Sequence, residues 1–458
     1  MSKLKIQLIT TFSFIVALIG LALFVLSTSN NPKEYKAKEL KTYYLENPEV
    51  KMATPEEQPS VFSLIRKAAG FDKEMSYLVL FQNNLELRPT GGFISSFATA
   101  KIENAKPKDF QFYDTAVFDI KLSTPTQVEP PEPINKYLFV KNWQFRDGNW
   151  SPDFPTAAQK MIEFYHAQGG QEQFDGVIAI TPEVLGSLLE IHGPVELPDY
   201  GLTVDKDNFL LTLEKQVEID FKDQGIARTD RKNILKDLAQ ILIDKTIAIN
   251  PLKSLKLISI GSKHLESKDI LLYFTDPEIQ KDVQKLGWSG EVKQTNSDYV
   301  FVVDANVNAF KADYFIVRDL KYVVDLSGST PKAKLTINYS HGAEQKSWLV
   351  RDYQSWLRVY VPEGSWFTNI SGLSTDPQYG KEFGKTFMAG LVKVPLSSDH
   401  TVILEYDLPQ NIKTNEYGLL IQKQPGIDEL PVEISVTFPD KTQKNIKETI
   451  AGDKGFTF

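Results

Sequence analysis

The chain has 458 residues, of which 42% are hydrophobic and 24% charged, enough apolar material for two or three globular domains. Its net charge of -8 argues against sequence-independent nucleic-acid binding, since there is no surplus of Lys and Arg to neutralise phosphates. It contains no cysteine, which excludes disulfides, thiolate nucleophiles and thiolate metal sites.

The N-terminal segment is strongly apolar. Ile6–Leu26 carries no charged residue and, at ~1.5 Å per residue, forms a helix about 30 Å long, the thickness of a bilayer core. We predict a transmembrane helix over residues 6–27, after a cytoplasmic tip (1–5) and before a juxtamembrane stalk (28–74). A cleaved signal peptide is the alternative, but its apolar core is usually shorter. An anchor placed this early predicts a single-pass protein with an extracytoplasmic body.

Residues 75–312 alternate strand and helix patterns. Tyr77–Phe81 and Phe93–Ile102 predict strands, and Phe174–Thr181 predicts a strand that is buried on both faces. Ala116–Leu122 also has the pattern of a short strand. Because helical segments separate many of these runs, we predict a layered α/β domain.

Residues 313–458 have a different pattern. Short runs that alternate apolar and polar residues are separated by stretches of Gly, Pro and Asp, and no helical period is present. This spacing predicts an all-β sandwich. We expect such a domain to offer a docking surface for a protein partner.

The segment between the first two strands carries an arginine and two glycines. Arg88 is followed by Thr90, Gly91 and Gly92, an arrangement typical of a backbone site for an anionic group. We therefore assign these three residues to substrate binding. An ordinary hairpin, with Arg88 paired to Glu86, is the alternative.

A second arginine lies in a polar segment with two aspartates. Arg146 would contact an anionic substrate, and Asp147 and Asp153 would hold Mg²⁺ between the protein and phosphate oxygens. Asp153 also stands where a helix would begin, so a helix cap is the alternative interpretation.

Arg228 and Arg231 lie at the predicted start of a long helix. Free N–H groups and the helix dipole favour an anion at such a position, and the arginine fork matches phosphate oxygens. If these arginines converge with Arg88, the three form a pyrophosphate clamp. The alternative is a solvated helix face on which they pair with Asp230 and Asp237.

Several motifs resemble those of a known bacterial family. QNNLELRPTGGF, DGNWSPDFPTAA, FDGVIAITPEVLGSLLEIHGPVEL and DYVFVVDANVNAFKADY are similar to segments of the membrane-anchored proteins grouped as domain of unknown function 4012. The family carries no assigned activity, so the resemblance implies an envelope location and no reaction.

A more distant resemblance is to the LytR-CpsA-Psr proteins, which transfer glycopolymers from polyprenyl pyrophosphate carriers to peptidoglycan. ELRPTGGFISSFA and GIARTDRKNILKDLAQILIDK are similar to two of their motifs and occur in the same order. The resemblance implies a LytR-CpsA-Psr-like α/β/α fold, Mg²⁺ as cofactor, and catalytic, pyrophosphate-binding roles for Arg88, Arg228 and Arg231. The chain departs from the motifs at Thr90, where an acidic metal ligand is expected, and at Lys232, where a glutamine is expected.

Two functions follow as hypotheses. The first is a phosphotransferase of cell-wall glycopolymers, acting on a lipid-linked anionic substrate at the membrane face. The second is a non-catalytic envelope protein whose α/β domain binds a lipid or glycan and whose sandwich docks a partner. The absence of an acidic residue at position 90 favours the second.

Overall fold

The computed structural model describes residues 61–120, 128–247 and 251–458. The predicted tip, transmembrane helix and most of the stalk lie outside the described residues. Among the helices that are described, none is long and apolar enough to cross a membrane.

The described part is a mixed α/β structure with several sheets and a β-rich C-terminal part. Its helices are α1 (Val61–Ala68), α2 (Thr115–Ile120), α3 (Glu132–Leu138), α4 (Phe154–Ala167), α5 (Pro182–His192), α6 (Phe209–Lys215), α7 (Asn233–Ile247), α8 (Pro251–Glu266) and α9 (Pro277–Lys285).

A five-stranded sheet organises the N-terminal part. Its strand order is β3-β2-β1-β4-β7, and only the β1–β4 pair is parallel. The strands are β1 (Met75–Asn83), β2 (Phe93–Glu103), β3 (Lys106–Asp114), β4 (Gly176–Ile180) and β7 (Ile270–Phe274). Two short strands, β5 (Val195–Leu197) and β6 (Leu202–Val204), form a separate hairpin.

Helices cover both faces of this sheet, because alternate side chains of a strand point in opposite directions. Tyr77 and Val79 pack with α1, α5 and α9, whereas Leu78 and Leu80 pack with α2 and α4. Every residue of β4 is buried, which confirms the prediction of a doubly covered strand.

The prediction of a strand at Ala116–Leu122 is wrong, because this segment begins as helix α2. The side chain of Asp114 accepts a hydrogen bond from the Ala116 N–H at 2.8 Å, and the Thr115 hydroxyl donates to the Ile94 carbonyl at 2.9 Å. These side-chain contacts start a helical turn and place Phe118 against Phe97, with ring centroids 4.8 Å apart. Short polar side chains and aromatic packing therefore override the apolar alternation.

The C-terminal part consists of two six-stranded sheets that share one hydrophobic core. The first has the order β12-β15-β10-β9-β17-β18 and the second β13-β14-β11-β8-β16-β19. The strands are β8 (Asp298–Val303), β9 (Ile316–Asp325), β10 (Lys332–His341), β11 (Tyr353–Pro362), β12 (Trp366–Ser371), β13 (Gln378–Glu382), β14 (Lys385–Val394), β15 (Asp399–Asp407), β16 (Gly418–Gln422), β17 (Leu430–Thr437), β18 (Gln443–Ile450) and β19 (Lys454–Thr457).

Strand β8 lies before residue 312 in the chain but pairs with C-terminal strands. It is antiparallel to β11 and parallel to β16, so the second sheet begins before the boundary drawn from the sequence. All six residues of β8 are buried, a pattern that also fits a central strand of an α/β sheet.

The two parts are joined by buried polar contacts. Lys268, before β7, forms an ion pair with Asp453, before β19, at 2.5 Å. The carbonyl of Gly91 lies against Gly426, where an added Cβ would come within 2.0 Å of it. Contacts of this kind place the β1–β2 connection between the two parts.

Candidate functional site

Arg88 lies in the β1–β2 connection and is buried between the two parts of the molecule. Its guanidinium donates to the Asn306 carbonyl at 2.6 Å and to the Glu86 carboxylate at 2.8 Å. The nearest carboxylate oxygen of Asp147 is 3.6 Å away. The pairing with Glu86 that the sequence offered as an alternative is therefore present.

Burial shapes the electrostatics around this arginine. Desolvation raises the pKa of the Glu86 carboxyl and that of the Asp147 carboxyl, and the positive charge of Arg88 opposes the rise in both. Nε of Arg88 and Oδ1 of Asp147 are buried and have no hydrogen-bond partner. The Arg88 side chain therefore retains unused hydrogen-bonding capacity next to its carboxylate neighbours.

A charged pocket of about 440 Å³ opens beside Arg88. Arg146 and Asp147 also line it, so the structure brings together three of the residues singled out in the sequence. The lining of the charged pocket also includes the charged residues Glu86, Glu218 and Lys311 and the aromatic residues Phe93, Phe310 and Trp348.

Of the second predicted arginine pair, Arg228 and Arg231, one residue lies at the edge of this pocket. Arg231 donates to Glu218, a lining residue, at 3.0 Å. Arg228 is exposed in the turn before α7 and is not among the lining residues. The structure thus brings Arg231, but not Arg228, to the edge of the charged pocket.

Thr90, Gly91 and Gly92 are buried within the β1–β2 connection. The Thr90 hydroxyl donates to the Gln82 side chain at 2.7 Å and accepts from Asn149 at 3.0 Å. Asn149 also donates to the Gly92 carbonyl at 2.9 Å. All three residues are absent from the pocket lining, and their predicted contact with a substrate stays a prediction.

The remaining predicted ligands have protein partners. Arg146 donates from Nε to Asp119 at 2.8 Å. Asp153 is the N-cap of α4, where it accepts from the Thr156 N–H at 3.1 Å, and its other oxygen accepts from the Val292 N–H at 3.0 Å. The cap that the sequence offered as an alternative for Asp153 is therefore present, and Mg²⁺ at Asp147 and Asp153 stays a prediction.

An apolar groove is lined in part by the end of β1, the strand that leads to Arg88. It encloses about 140 Å³ between the sheet and helices α5, α6 and α7, and its polar edge includes Gln82 and Asn83. Its apolar walls come from Phe81, Phe110 and Phe112 on the sheet, from Leu210 and Leu213 on α6, and from Leu235 and Leu238 on α7.

A short polar chain connects the groove to the charged pocket. Asn83 donates to Glu214 at 2.5 Å, and Glu214 forms an ion pair with Lys311 at 3.4 Å. Glu214 lines the groove and Lys311 lines the charged pocket. Nothing in the sequence links Glu214 to Lys311, because 97 positions separate them.

Three carboxylates that sequence reasoning did not combine lie together elsewhere. One oxygen from each of Glu183, Asp269 and Asp428 falls within 4.8 Å of the others, so one cation is within reach of all three. Burial, followed by the charges of Asp428 and Asp269, raises the pKa of Glu183 to about 7. Within the described residues, this cluster is the group of three acidic side chains close enough to share a metal ion. It does not include Asp147 or Asp153, the ligands predicted from the sequence.

Comparisons with known proteins give a match to one family model and a weak likeness to a solved structure. The model of the family described as "Protein of unknown function (DUF4012)" matches residues 72–217, about a third of the chain. No curated protein matches the sequence. The Lin1025 protein of Listeria innocua, known from an X-ray structure, is similar over 50% of this chain and 85% of its own, with 12% identity and a TM-score of 0.23.

Proposed function

We propose, for a chain whose residues 72–217 match the DUF4012 family model, that it is a cell-envelope protein that binds a lipid-linked glycopolymer. The apolar end of the ligand would occupy the groove, and its polar end would extend toward the charged pocket. The observation that carries the proposal is that successive parts of one segment line the two cavities, with Phe81–Asn83 in the groove and Glu86 and Arg88 in the charged pocket.

The size and lining of the groove support an isoprenoid ligand. An apolar cavity of roughly 150 Å³ can hold benzene, a group close in size to one isoprene unit. The groove, at about 140 Å³, is therefore large enough for the first unit of a polyprenyl chain. Leu and Phe account for nine of its 19 lining residues, as expected for a site that removes hydrocarbon from water.

The membrane location is part of the proposal. The anchor at Ile6–Leu26 and an extracytoplasmic body would hold the groove close to lipid-linked ligands and raise their effective concentration. A LytR-CpsA-Psr-like fold for the α/β part belongs to the same proposal and is supported by the covered sheet and the groove beneath α6 and α7.

Transfer of the glycopolymer to the cell wall is the second candidate. It is favoured by the position of Arg88 in the charged pocket and of Arg231 at its edge. Binding without transfer is favoured by the carboxylate partners that both arginines already have. We give priority to binding for that reason.

The proposal is tested with geranyl pyrophosphate, a water-soluble diphosphate with two isoprene units. We expect the full-length protein in nanodiscs to bind it in equilibrium dialysis, with empty nanodiscs as the blank. Leu210→Trp fills the groove and should weaken binding at least tenfold, because the indole occupies the space of the hydrocarbon.

Leu211→Trp is the matched control, since Leu211 is the next residue on the same helix but is exposed. It should bind geranyl pyrophosphate like the wild type. Equal affinity in the two variants, or no binding by the wild type, would contradict the proposal.

A further inference from the structure

We infer that the charged pocket recognises a neutral sugar residue through its hydroxyl groups, and not a pyrophosphate. This inference rests on the proposed function, because the sugar would belong to the same lipid-linked glycopolymer. It assigns to Arg88 and Arg146 a ligand class different from the anion expected from the sequence.

The first argument is the charge of the pocket. Its lining contains three cations, Arg88, Arg146 and Lys311, and three acidic residues, Glu86, Asp147 and Glu218, so the formal charges cancel. A pocket for pyrophosphate needs a surplus of positive charge. This lining has none.

The second argument is that each cation already has a carboxylate partner. Arg88 pairs with Glu86 at 2.8 Å, Arg146 with Asp119 at 2.8 Å and Lys311 with Glu214 at 3.4 Å. A pyrophosphate would have to displace these partners and would leave buried carboxylates without a counter-charge, which is costly.

The third argument concerns hydrogen-bond complementarity. A sugar hydroxyl both donates and accepts, so one hydroxyl can donate to a carboxylate such as Glu218 and accept from a neighbouring cation such as Lys311. An ionised pyrophosphate accepts only, and the same carboxylates would repel it. A lining that contains both cations and carboxylates therefore fits a polyhydroxylated ligand.

The fourth argument is the aromatic wall. Trp348 lines the pocket and is 41% exposed, although burial of so large a ring would normally be favourable. Phe310 lines the same pocket and is packed against the Arg351 guanidinium, 4.8 Å from its ring centroid. A partly exposed indole in the lining beside charged pairs suits the C–H face of a sugar ring, which packs on aromatic carbon while its hydroxyls reach the polar groups.

The dimensions are also suitable. A volume of about 440 Å³ falls within the roughly 300–1,000 Å³ typical of small-molecule sites. The chain Asn83–Glu214–Lys311 leads from this pocket to the apolar groove. One ligand with a hydrocarbon end and a sugar end would therefore span both sites.

The inference is tested with free sugars that carry no lipid and no phosphate. The full-length protein in nanodiscs is titrated with glucose, galactose, mannose, rhamnose and N-acetylglucosamine, and binding is read from tryptophan fluorescence and equilibrium dialysis. We expect at least one sugar to bind, and Trp348→Ala to weaken that binding at least tenfold. Inorganic pyrophosphate should not compete.

Trp366→Ala is the matched control, because Trp366 is also exposed but lies on β12, outside the pocket lining. It should bind sugar like the wild type. Glu218→Gln should also weaken binding, since it removes a charged acceptor while the side-chain shape is kept.

The inference is overturned if none of the five sugars binds, if Trp348→Ala and Trp366→Ala have equal affinity, or if inorganic pyrophosphate displaces the sugar. Its failure is distinguishable from that of the proposed function. Sugar binding without geranyl pyrophosphate binding would overturn the proposed function alone, whereas binding of geranyl pyrophosphate without any sugar would overturn this inference alone.

Discussion

At the scale of single residues, burial decides what a charged side chain does. Asp298 is enclosed in the C-terminal core, where its carboxylate accepts from the hydroxyls of Tyr322 at 2.7 Å and Tyr417 at 2.6 Å. Desolvation raises the pKa of Asp298 to about 6, although these hydrogen bonds and one from the Tyr299 N–H oppose the rise. The ionised form is therefore held at a cost near neutral pH.

This cost predicts a pH dependence of stability. Because the folded-state pKa of Asp298 lies above its unfolded value, the group stabilises the fold fully below about pH 4, and this contribution is lost as the pH rises through about 6. The free energy of unfolding of the wild type, relative to Asp298→Asn, should fall by up to about 3 kcal/mol between pH 4 and 7. Urea unfolding at several pH values measures the difference.

The control for this prediction is Asp376→Asn, because Asp376 is exposed in the same half of the molecule. Its stability relative to the wild type should be nearly constant over the same pH range. A constant difference for Asp298→Asn as well would contradict the prediction.

Arg88 shows that burial and tertiary contacts also decide which ligand a charged side chain can bind. As a sequence position it predicts an anion site, since a free guanidinium matches phosphate oxygens. In the folded chain it is bound to Glu86 and to the Asn306 carbonyl. Neighbours that are distant in sequence, not the residue type, determine which ligand such a side chain favours.

At the scale of elements, the β1–β2 connection is held by close backbone packing. Gly426 has φ +80°, and an added Cβ would lie 2.0 Å from the Gly91 carbonyl oxygen. Gly92 is equally restricted, since a Cβ there would lie 2.3 Å from the carbonyl carbon of Asn83. Gly91 and Gly92, which the sequence assigned to an anion site, thus lie in tight backbone contacts within the protein.

Gly426→Ala should therefore destabilise the protein beyond the ordinary penalty for a left-handed residue. Gly201→Ala is the matched control, because Gly201 also has a positive φ, +64°, but nothing lies within 4 Å of an added Cβ. We expect Gly426→Ala to lower the free energy of unfolding by about 1–3 kcal/mol more than Gly201→Ala, as overpacking does. Equal losses in urea unfolding would show that the Gly91 contact contributes nothing.

At the scale of the whole molecule, buried ion pairs join the α/β part to the C-terminal part. The carboxylate of Asp453 lies 2.5 Å from the Lys268 amine and 2.9 Å from the Lys293 amine. Burial lowers the pKa of Lys268, and the charge of Asp453 opposes the shift. Removal of Asp453 would leave Lys268 buried without its counter-charge.

Asp453→Asn should destabilise both parts together. We expect a loss of about 3–5 kcal/mol, typical of breaking one side of a buried pair. Hydrogen exchange should accelerate in β7 of the α/β part and in β16 of the C-terminal part. Acceleration confined to β16 would show that the two parts unfold independently.

An exposed ion pair provides the control for that experiment. Glu363 and Lys381 are 3.5 Å apart on the surface of the C-terminal part. Solvent screens such a pair, so Glu363→Gln should change the free energy of unfolding by less than about 1 kcal/mol.

The sequence by itself determined the local elements. Short apolar runs identified β1, β2 and the doubly buried β4, and the change to alternating apolar and polar residues toward the C-terminus identified the β-rich part. These features depend on neighbouring residues, so they can be read from the order of the chain. The segment at α2 was misread because a side-chain cap and aromatic contacts outweighed its alternation.

Only the tertiary structure decided which charged residues face one another. Arg88, Arg146 and Asp147 meet in one pocket, Arg228 remains exposed, Asp153 caps a helix, and Glu214 reaches Lys311 from another element. A charge pattern along the chain does not specify its partners, because electrostatic energy depends on distance and burial, and both are set by the packing of sheets and helices.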